Sequence, residues 1–104
     1  MISVNAPRFN LGQIVATPAA LETLERLGKS VRECIERHVK GDWGHLSEDD
    51  IQANEDALVD GSRILSSYVL EGEGEDATNI WVITEAEDES GDRLATTVLL
   101  PEEY

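Results

Sequence analysis

Cysteine is almost absent from this chain. Cys34 stands alone, so no internal disulfide can form, and a lone thiol suits a reducing compartment. Aromatic residues are scarce too, with two Trp, two Tyr and one Phe, so the core must rest on aliphatic clusters. No stretch approaches the roughly 18 consecutive apolar residues of a membrane span. The start Met1-Ile2-Ser3-Val4-Asn5 lacks the basic region and apolar run of a secretory leader. A cytoplasmic protein without a membrane partner is expected. Basic residues are the other shortage: eight Lys and Arg stand against 22 Asp and Glu, for a net charge of −14. Binding phosphates requires clustered Lys and Arg to displace counterions, so direct binding of DNA or RNA is not expected.

What is present is ordered. The 104 residues suffice for one compact domain, and a chain of this size buries roughly two-thirds of its unfolded surface. Residues 1–10 lack periodicity and contain Pro7, which predicts a loose N-terminal arm ahead of a single domain over 11–104. The segment 11–16 is apolar and reads as a lead-in or a short extra strand. Thr17 before Pro18 predicts a helix start, with Leu21, Leu24 and Leu27 close to one face and Gly28 ending it. Ser30 and Glu33 have capping-box spacing and open a second helix, whose Val31, Cys34, Ile35 and His38 share a stripe. Gly41 is placed to end it. A third helix should start after Ser47, with Glu48, Asp49 and Asp50 at the favourable end of its dipole, and close at Gly61.

Beyond Gly61 the spacing changes to short β-branched and aliphatic runs at 63–70, 79–85 and 94–100, which predict three strands. Alternation puts Ile80, Val82 and Thr84 on one face of the second strand and Trp81 and Ile83 on the other. The expected architecture is α+β: three N-terminal helices packed on a three-stranded antiparallel β-meander, with the short N-terminal strand as a possible addition. In a meander the acidic loops 71–76 and 87–92 lie at opposite ends of the sheet.

Candidate chemistry centres on Arg37-His38-Val39-Lys40-Gly41-Asp42-Trp43-Gly44-His45, which holds both histidines. Cys34 and His38 are four apart on a helix, His45 can fold back across the glycine turn, and Asp42 can complete a set of four ligands. The paired short spacings of structural zinc sites are missing, so neither a metal nor another cofactor is expected. The acids and glycines of 71–76 lack the spacing of a calcium hand and read as a solvated turn. No nucleophile elbow or phosphate-binding glycine loop marks a catalytic group, and with 22 carboxylates a pair at any chosen spacing carries no information. Trp43 reads as a plug over the core, or, if exposed, as a partner anchor.

The order of several segments resembles a family of small, acidic, uncharacterised bacterial proteins often labelled plasmid-related. It is carried by Phe9-Asn10-Leu11-Gly12, Thr17-Pro18-Ala19-Ala20-Leu21, His38-Val39-Lys40-Gly41-Asp42-Trp43-Gly44, Asp60-Gly61-Ser62-Arg63, Ile80-Trp81-Val82-Ile83-Thr84-Glu85 and Thr96-Thr97-Val98-Leu99-Leu100-Pro101-Glu102-Glu103-Tyr104. The segments before Trp81 and after Glu85 are longer here than is usual in such relatives, and they lengthen acidic turns. The resemblance implies mobile elements but no activity.

Charge segregation suggests a function class. From Asp42 to Asp92 there are sixteen acids and one base, Arg63. Such a surface serves solubility, or steers a basic protein partner. The expectation is a non-enzymatic interaction module, with Trp43, Glu48, Asp49, Asp50, Glu55 and Asp56 as candidate partner-binding residues. The alternative is a small metal-binding protein or metal-dependent enzyme centred on Cys34, His38 and His45.

Overall fold

Thr17 opens the first helix as its spacing predicts: its hydroxyl accepts from the amide of Ala20, and Pro18 occupies the first turn. The structure, a computed structural model, describes residues 7–74 and 76–104. In chain order the elements are β1 (Gln13–Ala16), α1 (Pro18–Leu27), α2 (Val31–Val39), α3 (Glu48–Asp60), β2 (Ile64–Leu70), β3 (Thr78–Thr84), β4 (Ala95–Leu99) and a 3-10 turn (Pro101–Glu103). Ser30 caps α2 at the amide of Glu33, and Ser47 caps α3 at that of Asp50. Each cap satisfies an amide left free by helix geometry, for about 1 kcal/mol.

The sheet is not the three-stranded antiparallel meander expected after the helices. It has four strands, is mixed, and runs in the order β1-β4-β3-β2. β2, β3 and β4 pair antiparallel in sequence, and β1 joins the far side of β4 in parallel. Gln13 donates to the carbonyl of Leu94, and Thr17 to that of Val98, at 3.0 Å each. Gly12 makes the approach possible: its φ is +65°, and a side chain there would strike the backbone of Arg93 and Leu94. The partner of β1 lies far along the chain, and its own residues are mostly exposed. Local alternation therefore holds no record of the pairing.

One face of the sheet meets the helices. Ala20 and Leu24 of α1 and Cys34 and Ile35 of α2 pack on Tyr68, Ile80, Val82 and Val98. Full burial of an aliphatic such as Leu24 or Ile80 contributes about 1.5–3 kcal/mol. A second cluster, Trp43, Ala57 and Ile64, is completed by half-buried Phe9, Leu46 and Leu58. Of the arm expected over 1–10, residues 1–6 lie outside the described residues. Arg8 and Phe9 are tied down: the Arg8 amide donates to Val39, and the Phe9 ring meets His38 edge-on at 5.2 Å.

β2 is an edge strand, and its open side is covered without another full strand. The Asn54 side chain of α3 donates to the Leu65 carbonyl at 2.6 Å and accepts from the Leu65 amide at 3.0 Å. The segment Trp43–His45 follows on, with Ser67 donating to Trp43 and accepting from His45. Covering an edge in this way blocks pairing with another chain.

Candidate functional site

His38 is wholly buried, and both of its ring nitrogens are engaged. The proton positions around it follow by elimination. Thr96 Oγ1 lies 2.7 Å from the carbonyl oxygen of Leu11, where only the hydroxyl can donate. That uses its one proton, so Thr84 donates to Thr96 across 2.7 Å. His38 Nε2 must then donate to Thr84 across 2.8 Å. Burial pushes the imidazole down to about 3, so the ring is neutral and Nδ1 accepts from Ser66 Oγ across 2.6 Å. Ser66, His38, Thr84 and Thr96 thus form a one-directional chain ending on a backbone carbonyl.

The Ser66–His38 pair has the spacing of a nucleophile and its base, but neither residue is accessible. No substrate atom can reach the hydroxyl while the helices stay on the sheet. The arrangement is a satisfied polar core, not a catalytic centre.

The proposed ligand residues have separate roles. Burial raises the Cys34 thiol to about 11, so it is protonated at neutral pH and is a poor ligand. Asp42 accepts from Arg37 Nε at 2.7 Å and from the Gly44 amide at 3.2 Å, and the Arg37 bond holds its carboxyl below the usual range. Arg37 also stacks on Tyr68, 4.2 Å from the ring centre, while the Tyr68 hydroxyl donates to the Asp42 carbonyl. His45 is exposed, and its imidazole has no partner among the described residues. Among those residues, no group of three or more His, Cys, Asp or Glu is arranged to hold a metal ion.

Trp43 is 5% exposed and closes the second cluster; as an exposed anchor it would have to leave the core. Its indole Nε1 donates to Glu55 at 2.9 Å, and Arg8 grips the same carboxylate with both terminal nitrogens, at 3.0 and 3.2 Å. Glu55 is therefore committed within the fold. Glu48, Asp49, Asp50 and Asp56 are exposed along α3, and among the described residues no cation pairs with them. Val59, on the same helix, is 91% exposed.

Several residues central to this region had no role from sequence spacing. Strand alternation places Thr84 on the face of Ile80 and Val82, and a polar residue at a core position is a signal that a buried partner is needed. Arg93 carries no such signal. It is 5% exposed and donates to the carbonyls of Ser62 at 2.7 Å and of Glu85 and Ala57 at 3.0 Å. Ala57 lies in the last turn of α3, where no basic residue of the helix itself sits, so Arg93 supplies the cation that the helix end favours.

Comparison with family models, curated proteins and solved structures finds no match to this chain. The plasmid-related resemblance expected from the sequence gains no support from these comparisons. Among the described residues, no helix is long and apolar enough to cross a membrane.

Proposed function

We propose that the chain is a non-enzymatic, cytoplasmic interaction module that offers an acidic surface to a basic protein partner. The observation that carries this reading is α3, where Glu48, Asp49, Asp50 and Asp56 are exposed and, among the described residues, no cation pairs with them. Carboxylates used for architecture in this fold are bonded, as Asp42 and Glu55 are. Among the described residues Glu48, Asp49 and Asp50 have no such side-chain bond, and Asp56 accepts from Gln52 of the same helix at 2.9 Å; Val59, one turn beyond Asp56, is exposed as well. An unpaired acidic stripe speeds encounter with a positively charged protein and rejects negatively charged ones. The plasmid-related resemblance directs the search for that partner to proteins carried with mobile elements, including basic proteins that handle nucleic acid.

The test is affinity capture from the native host at moderate salt, using the wild type and a variant with Glu48→Gln, Asp49→Asn, Asp50→Asn and Asp56→Asn. A basic protein retained by the wild type, released by added salt and lost with the variant is the expected result. Retention by a variant that melts like the wild type contradicts the reading and leaves solubility as the role of the stripe.

A further inference from the structure

The two edges of the sheet differ. Asn54 and the segment Trp43–His45 occupy the outer side of β2, whereas among the described residues nothing pairs with the outer side of β1. Gln13 and Thr17 direct their amides at β4, so the period of two along a strand turns the amides and carbonyls of Ile14 and Ala16 outward. Four backbone groups on this edge are open to another strand. β1 reads Gln13-Ile14-Val15-Ala16, with no charge and no proline, and its register with β4 has no bulge. These are the devices that blunt an open edge, and β1 has none of them. Ile14 and Val15 are instead 47% and 39% exposed.

Charge and register select the occupant. Phe9 to Leu21 is a run of thirteen residues without a charged side chain, in a chain with eight basic and 22 acidic residues. Glu103 reaches this run, but its carboxylate is taken by the Thr17 hydroxyl and the Leu100 amide. The acidic stripe of α3 lies at the other edge, where Asn54 holds β2. A second copy can therefore lie along β1 without setting acid against acid at the seam. The strand is also its own complement. With a two-fold axis at Val15, Ile14 faces Ala16 of the second copy, and each such pair exchanges two hydrogen bonds. Symmetry repeats the pair. A slip of the register would set Ala16 against Gly12, which leaves the strand at φ +65°, or Ile14 against Pro18, which has no amide to donate.

We infer that β1 is a self-association edge, at which two copies pair antiparallel about Val15 into one eight-stranded sheet. Only Ile14, Val15 and Ala16 pair in each copy, so the dimer is weak and concentration-dependent, at the small end of specific interfaces. The two β2 strands then stand about 34 Å apart at roughly 4.8 Å per strand, each with α3 beside it. A basic partner meets two acidic stripes at once. That consequence rests on the acidic-module reading; the pairing itself does not.

Sedimentation equilibrium of the full chain up to about 1 mM should show a monomer–dimer equilibrium. Added salt should strengthen it, because screening weakens the repulsion between chains that each carry −14, whereas contact with a basic partner responds in the opposite sense. Val15→Cys should join two copies under mild oxidation, since Cα atoms facing each other in a non-hydrogen-bonded pair stand about 4.5 Å apart. Val59→Cys, on the exposed side of α3, should crosslink at least tenfold more slowly, and buried Cys34 can stay in place. Ile14→Pro removes only an outward amide, which an edge strand tolerates, and should weaken association at least tenfold with an unchanged melting curve. A monomer at about 1 mM in high salt, association weakened by salt, equal crosslinking by the two cysteines, or full association by a folded Ile14→Pro variant overturns the pairing. The crosslinking comparison decides the matter even if Ile14→Pro fails to fold. A monomer whose captured partner still depends on α3 removes the dimer and leaves the acidic-module reading; a dimer whose captured partner ignores α3 does the reverse.

Discussion

Leu11 and Thr96, 85 positions apart, are joined by a 2.7 Å hydrogen bond that sets the proton order of four buried side chains. Thr96→Val keeps the shape of the side chain but leaves the Leu11 carbonyl without its donor and Thr84 without its acceptor. The expected loss is about 1–3 kcal/mol for stranding buried polar groups, read from urea unfolding. In the wild type, nitrogen NMR should show His38 neutral with its proton on Nε2. A proton on Nδ1 would contradict the order derived above.

The same imidazole makes stability depend on pH. Its folded value is lowered to about 3 by burial, against about 6.5 when unfolded. Between those values the unfolded chain binds a proton that the folded chain refuses. Stability from this residue is fully present above about 6.5 and falls as pH drops toward 3, by up to about 1.4 kcal/mol per pH unit. His38→Asn should flatten the fall in urea midpoint between pH 7 and 4; an unchanged slope assigns the acid sensitivity elsewhere.

Arg93 fixes the end of α3 from a distant loop. Arg93→Met removes the donors to three carbonyls and should cost about 2–4 kcal/mol. Arg93→Lys should recover less than half, since an ammonium cannot reproduce the spread of the guanidinium fork. Chemical denaturation of the three proteins is the measurement.

Asn54 closes the edge of β2 through both backbone groups of Leu65. Asn54→Ala should destabilise by about 2 kcal/mol. It should also speed hydrogen exchange at the Leu65 amide and promote association through the freed edge. Exchange at Leu65 no faster than in the wild type would show that the edge is protected by other contacts.

Helix positions were readable in the residues because caps and stops are local. Thr17, Ser30 and Ser47 accept the bonds their spacing implies, and Gly28 and Gly61 take the left-handed conformation that ends a helix. The apolar stripe of α2 was readable for the same reason. The candidate metal set was read from helical spacing as well, and spacing says nothing about what stands opposite. Ser66 and Thr84 come from two strands to occupy the His38 nitrogens.

The sequence by itself determined the charge, the single thiol, three capped helices and the alternation of the later strands, all of which depend on neighbours a few residues away. Only the tertiary structure decided that β1 lies parallel to β4, that Trp43 and Glu55 serve the core together, and that Arg93 completes α3. Each of these joins groups widely separated in the chain, through backbone carbonyls or single side-chain atoms that leave no periodic mark. The nine-residue stretch around Asp42 gains its meaning in the same way: its tight turn and ion pair hold Trp43 over the core and cover the edge of β2.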